Sequence, residues 1–325
     1  MLRYYSNLII FENGYKKGLF CEGKGWHINF EPNPSCHVVT DGKPAKEIIV
    51  YAQSQDRAQY VIDAVLAAHC LYKGEILTSE FVPVFPKRAK TIDEIEKQLW
   101  AGGGHTIAVS NLPVACLIAA KALKKNFFKY ALFKNLLSCT VVPLGIRSLD
   151  PEGDWESGPA ISQLPREHVF YADSIISSYS VLEELSFDIH ASNKTPSKID
   201  GHWNPKVKED LEERLNKAGI NLSEPILWHL RDTPTRIERE RKPPSLKRCE
   251  WARFRVRDVY LDIIEAISYA SWLRSRVSAH KFSTLARSLT IYEVANVQHL
   301  ARRLLLETLG FWRFGQLDNL DVNMD

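Results

Sequence analysis

No run of this 325-residue chain is uncharged, apolar throughout and long enough to cross a bilayer as a helix. The opening MLRYYSNLIIFENGYKKGLF has neither the apolar core nor the small-residue cleavage site of a secretory signal. These absences lead us to expect a soluble cytoplasmic chain with no membrane partner. CxxC pairs are also missing. The six cysteines, Cys21, Cys36, Cys70, Cys116, Cys139 and Cys249, are scattered, some within apolar runs such as PVACLIAA, and read as reduced core thiols. An excess of charge of one sign is missing as well. A formal net charge of +3 does not by itself mark a nucleic-acid binder, so the local distribution of basic residues has to decide.

Familiar catalytic signatures are equally sparse. Gly102-Gly103-Gly104-His105 lacks the Lys-Ser/Thr ending of a phosphate-binding loop and the spacing of a dinucleotide fingerprint. Cys36-His37 and His69-Cys70 are adjacent pairs, which converge on one metal only if the fold joins them. No Ser-His-Asp arrangement stands out. The expectation is a protein working without a metal or a cofactor.

What the sequence does contain falls into two parts. Short apolar runs fill the first fifty positions (NLIIF, GLFCEG, WHINFE, HVVT, EIIVYA) and read as strands, with Asn13-Gly14 and Asp41-Gly42 as turns. From Ser54 to Tyr72 the period changes to that of a helix, with Tyr60, Val61, Ala64, Val65, Ala68 and Leu71 on one face. A strand-like EFVPVFP and a helix in TIDEIEKQLW follow. The rest is mainly helical: Leu112–Leu137, then His168–His190, then VYLDIIEAISYASWLR with Tyr260, Ile263, Ile264 and Ile267 inward. TIYEVANVQHLARRLLLETLG closes the series, with Thr290 and Glu293 in capping-box spacing and Val294, Val297, Ala301, Leu304 and Leu305 inward. The loop-like stretch Leu149–Pro165 interrupts them, as does a polar insertion of about residues 192 to 250 with one helix in PKVKEDLEERLNKAGI. The predicted class is α+β: a small N-terminal α+β domain over residues 1–100, then a mainly α-helical domain over 101–325. That domain is read as an antiparallel bundle with the insertion outside it.

Between the last two helices lies LRSRVSAHKFSTLARSLT, in which Arg274 and His280 are separated by five residues. An apolar helix running into an arginine, a short polar loop after a histidine and a terminal helix reading LARRLLLETLGF resemble the HEPN superfamily. The likeness covers residues 110–313 loosely and 260–313 more closely. It departs from the family after the arginine, where Ser275 stands in place of the frequent Asn, Asp or His, and Arg276 offers a competing register.

The resemblance implies a helical bundle that cuts RNA without a metal, in a site commonly built from two such pairs at a homodimer interface. His280 would move protons, since imidazole titrates nearest neutrality, and Arg274 would hold phosphate through its planar fork. The resemblance further implies a role as a toxin or antiviral-defence effector, with a protein partner for the N-terminal domain. Two alternatives stay open: a bundle that binds RNA or protein without cutting, and an enzyme centred on the N-terminal domain. Arg274 also has a structural reading, as a helix-end residue complementing the dipole.

The stretch RIERERKPPSLKRCEWARFRVRD supplies a candidate RNA-binding surface, with Trp251 among Arg253, Arg255 and Arg257, and Arg276 beyond it. Glu238 and Glu240 sit among these arginines, so a solvated, ion-paired loop is the competing interpretation.

Overall fold

A computed structural model describes residues 1–10, 20–32, 39–40, 43–44, 46–74, 82–87, 94, 107–108, 112–142, 165–192, 194–200, 202–231, 256–277 and 289–312. The architecture is α+β with a helical C-terminal part. The chain forms two compact units, 1–133 and 134–325. The expected turns at Asn13-Gly14 and Asp41-Gly42 lie outside the described residues. So do most of TIDEIEKQLW and most of the Leu149–Pro165 loop.

Unit 1 is built on a sheet. Strands β1 (Leu2–Ile10), β2 (Phe20–Gly23), β3 (Trp26–Pro32), β6 (Lys46–Ala52) and β7 (Val84–Phe85) pair antiparallel in the order β2-β3-β6-β1-β7, while β8 (Ile107–Ala108) runs parallel to β1. β4 (Val39–Thr40) and β5 (Lys43–Pro44) form a separate antiparallel pair. Period-two alternation explains the inward side of β3, where Trp26, Ile28 and Phe30 are buried between half-exposed His27, Asn29 and Glu31.

Helix α1 (Gln55–Lys73) begins where Ser54 Oγ accepts the Arg57 N–H at 3.2 Å and ends at Gly74, whose φ of 75° closes the last turn. Its buried face carries Val61, Ile62, Val65 and Ala68. Gln59 on this helix also holds β7: Nε2 donates to the Val82 carbonyl at 2.8 Å, and Oε1 accepts from Val84 N at 3.0 Å. Helix α2 (Leu112–Ala122) packs on α1 and β2, its small Ala115, Cys116, Ala119 and Ala122 allowing close approach. The single helical stretch expected over Leu112–Leu137 is in fact α2 and α3 (Asn126–Val141), separated at Leu123–Lys125. No Gly or Pro marks that break, so local sequence carries no signal for it.

Unit 2 gathers α4 (Pro165–Glu184), α6 (Ile263–Val277) and α7 (Ile291–Leu309), which contact one another pairwise. α4 stops short of the expected His190. Ser186 takes a left-handed φ of 59°, and Phe187 N returns to the Leu182 carbonyl at 2.8 Å, which buries the Phe187 ring and ends the helix.

Two further expectations are corrected here. The insertion does not stand outside the bundle. Its helix α5 (Pro205–Lys217), opened by Asn204 and followed by Gly219 at φ 82°, packs on α6 through a face containing Val207, Leu211 and Leu215. Its strand β11 (Ile226–Arg231) pairs antiparallel with β12 (Val256–Leu261) and lies against α6 and α7, with Trp228 only 1% exposed and edge-on to Tyr269 at 5.3 Å. The polar composition of the segment hid this apolar strand. The short pair β9 (Lys198–Ile199) and β10 (His202–Trp203) completes the insertion. The second correction concerns Tyr260, expected inward on a helix. Val259-Tyr260-Leu261 belongs to β12, Tyr260 is exposed, and the helix starts only after Asp262, whose Oδ1 accepts Glu265 N at 2.8 Å.

The capping box expected at α7 is present: Thr290 Oγ1 accepts Tyr292 N, and the Glu293 carboxylate accepts Thr290 N at 2.6 Å. The expected inward stripe is buried throughout. Four polar residues of α7 are buried with it: Glu293, Asn296, Gln298 and Arg303. Arg303, 2% exposed, donates to Glu307 at 2.9 Å and to the Pro225 and Glu224 carbonyls at 2.8 Å each, clamping the turn that leads into β11. Removing the cation strands a carboxylate and two carbonyls. Arg303→Ala is expected to lower the unfolding free energy by about 3–5 kcal/mol. Arg303→Lys should recover less than about half of that, because an ammonium lacks the fork. Urea denaturation of the three proteins provides the check.

Candidate functional site

Arg274 and Arg276 both lie in the last turn of α6, where a positive charge complements the helix dipole. They point to different partners. The Arg276 guanidinium lies over Trp272 of its own helix, 5.9 Å from the ring centre. Arg274 reaches across to α4, where Nη2 meets Glu183 Oε1 at 3.1 Å. That ion pair is part-exposed, with 42% of the Arg274 side chain and 34% of Glu183 open to solvent. Arg274 Nε is buried and makes no hydrogen bond.

A second rung joins the same helices one turn away. The Tyr179 hydroxyl is hydrogen-bonded to Ser271 and to the backbone of Ile189. Burial is the main force pushing the Tyr179 pKa up, with Asp188 and Glu183 adding to it and the two hydrogen bonds opposing it. Residues four apart on α4 (Tyr179 and Glu183) thus face residues three apart on α6 (Ser271 and Arg274), a spacing that puts each pair on one side of its helix.

Charge continues along the chain after α4. His190 lies between Asp210, 3.4 Å from Nδ1, and Asp188, 3.7 Å from Nε2. Arg214 bonds Asp210 at 2.8 Å and the carbonyls of Ser186 and Asp188. The surface therefore offers a part-exposed arginine, paired among the described residues with Glu183, and an exposed imidazole flanked by carboxylates, a set suited to holding an anion and moving protons. The Tyr179 phenol, by contrast, is buried and joins the two helices.

Of the residues singled out in the sequence, the structure places Arg274 and Arg276, and the backbone of Arg257, which pairs with Leu230 across β12 and β11. His280, Trp251, Arg253 and Arg255 lie outside the described residues, as does the Arg257 side chain. No role at this site was legible in the sequence for Glu183, Tyr179 or Ser271. Their i,i+4 and i,i+3 spacings were visible, but nothing in the sequence says that α4 and α6 are neighbours along those faces. Among the described residues, no three or more His, Cys, Asp or Glu side chains are grouped to hold a metal ion. The four described cysteines, Cys21, Cys70, Cys116 and Cys139, are buried free thiols.

A pair of imidazoles sits elsewhere in unit 2. The rings of His229 on β11 and His299 on α7 are 6.3 Å apart. Although an edge of His299 reaches the surface, its ring is so desolvated that its pKa falls to about 3, with His229 and Arg302 lowering it further. The unfolded chain binds this proton near pH 6.5 and the folded chain only near 3, so between these values the unfolded state holds more protons and stability falls as pH falls. This residue should contribute a slope of at most about 1.4 kcal/mol per pH unit across that window. Urea unfolding measured from pH 7 down to about 4 should show a shallower decline for His299→Gln than for the wild type. Comparison with models of protein families, with curated proteins and with solved structures finds no match for this chain.

Proposed function

We propose that the C-terminal unit acts on RNA as a metal-independent endoribonuclease of HEPN type, with Arg274 and His280 as its working pair. The observation that carries this reading is the state of Arg274. Its guanidinium stands part-exposed at a helix end and is paired with the Glu183 carboxylate; Nε is buried, and a phosphate would be taken by the Nη donors that have no other partner among the described residues. The ribose 2′-hydroxyl attacks the adjacent phosphorus, the bond to the 5′-oxygen breaks, and a 2′,3′-cyclic phosphate and a 5′-hydroxyl result. His280 takes or returns the proton, and Arg274 stabilises charge on the non-bridging oxygens. The reading includes a homodimer formed through the bundle and a protein partner for the N-terminal unit. It also includes a toxin or antiviral-defence role and, given reduced buried cysteines, a cytoplasmic location. No helix among the described residues is long and apolar enough to cross a membrane.

A non-catalytic module that binds RNA or protein is the second reading. The Glu183–Arg274 and Tyr179–Ser271 rungs favour it, because they give Arg274 a structural task joining two helices.

The two readings diverge in one assay. Purified full-length protein is incubated with mixed RNA in EDTA, and the products are examined for cyclic phosphate ends. The nuclease loses at least about 100-fold in rate with His280→Ala and with Arg274→Ala. Because a part-exposed ion pair contributes only about 0–1 kcal/mol, Arg274→Ala should stay folded, and a circular dichroism melt verifies that. Absence of cleavage by folded, dimeric wild type decides for the binding module.

A further inference from the structure

The corner between α2 and α3 carries a concentration of positive charge that the proposed site does not use. In the whole sequence there is no Asp or Glu between Glu96 and Asp150. Within the described part of that stretch, Lys121, Lys124 and Lys125 are exposed and Lys129 is half-exposed. Two aromatic rings emerge among them: Phe127 is 39% exposed and Tyr130 61%. Lys125 Nζ lies over Phe127 and Phe128, at 5.5 and 5.7 Å from the ring centres, while Lys129 Nζ donates to Asn126 Oδ1 at 3.1 Å. Lys124, Lys125 and Lys129 have no carboxylate partner among the described residues. On α1, the Arg57 guanidinium lies 5.5 Å over the ring of Tyr60, which in turn meets Phe133 of α3 at 5.9 Å.

An ordinary solvated helix looks different in this same protein. On α5 the basic residues are interleaved with acids and paired to them: Lys208 with Glu212 at 3.4 Å, Arg214 with Asp210 at 2.8 Å. At the α2–α3 corner no carboxylate among the described residues pairs with Lys124, Lys125 or Lys129, and such cations beside exposed flat rings complement a polyanion that carries bases. A lipid surface would demand a continuous apolar stripe along α3. The stripe Phe127, Tyr130, Leu137 is broken by Lys134, which is tied to Glu184 at 2.6 Å.

We propose that the α2–α3 corner of unit 1 is a binding surface for single-stranded RNA, with Lys124, Lys125 and Lys129 on the phosphates and Phe127 and Tyr130 stacking on bases. The surface stands whether or not the C-terminal unit cuts, and would deliver RNA to the protein without reading its sequence.

The test uses full-length protein and a fluorescent 2′-O-methyl oligouridylate of about twenty nucleotides, which cannot be cleaved through its 2′ position, so a failure to bind is separate from a failure to cut. Binding is followed by anisotropy at several salt concentrations. Lys124→Glu/Lys125→Glu should weaken binding at least about tenfold at low salt. It should also flatten the plot of log affinity against log salt by about 1.4, roughly 0.7 for each lost cation on a single strand. Tyr130→Ala, at a position open enough to leave folding intact, should weaken it about fivefold or more. Absence of binding by the wild type overturns the proposal, as does unchanged affinity in the folded variants. So does capture by vesicles of phosphatidylserine and phosphatidylcholine without capture of the oligonucleotide.

Discussion

Unit 2 depends on the way one central helix satisfies polar side chains that it has buried. α7 is enclosed on nearly every side, and a polar group held away from water is costly unless it is hydrogen-bonded. Asn296, Gln298 and Arg303 answer by bonding the backbone of other elements, while Gln298 Oε1 is left without a hydrogen bond among the described residues. Asn296 both donates to the His229 carbonyl and accepts from His229 N, each at 2.8 Å, fixing the height of β11. Gln298 donates to the Val142 carbonyl and to Ser174 Oγ at 2.9 Å, joining the end of α3 to α4. Arg303 holds the turn before β11. A helix packed by leucines alone could slide or rotate by a notch, whereas these directional bonds admit one register. The start of the helix is set by Thr290 and Glu293, so the chain returns to the bundle at a defined point after the Arg274…His280 segment.

Much of this was legible where the signal is local. The change of period from Ser54 onward, the strand in WHINFE and the Thr290/Glu293 box depend on residues a few positions apart, and each is where the sequence places it. What stayed hidden depends on partners distant in the chain. β11 looked like part of a polar insertion because its short apolar run lies between polar, Pro-interrupted stretches, and only pairing with β12 and burial of Trp228 against α6 make it a core strand. The end of α4 is set by Phe187 folding back onto Leu182, a preference for burial that overrides the helix expected to continue to His190. The candidate site divides in the same way. Arg274 announced itself through its place before a histidine, whereas Glu183 and Tyr179, ninety residues earlier, gain meaning only from the contact of α4 with α6.

The two rungs between those helices also bear on the proposed function, in which one arginine would serve stability and recognition together. Glu183 orients the guanidinium and screens its charge, yet at this exposure the pair is weak enough for an incoming phosphate to compete with it. Tyr179, bonded to Ser271, joins the same two helices independently of that ion pair. The cation is thus preorganised without being consumed by its partner.

Gln59 has a consequence for unit 1 that extends beyond the single molecule. β7 ends the ordered row of antiparallel strands, and a bare strand edge is a template on which another chain can add. Here the carbonyls of Val82 and Val84 and the amide of Val84 are already engaged by the carboxamides of Gln59 and Gln55, presented from α1. The helix therefore acts as a surrogate strand, occupying the positions through which sheets of neighbouring molecules would otherwise fuse, and makes the growth of the sheet into an aggregate harder on that side.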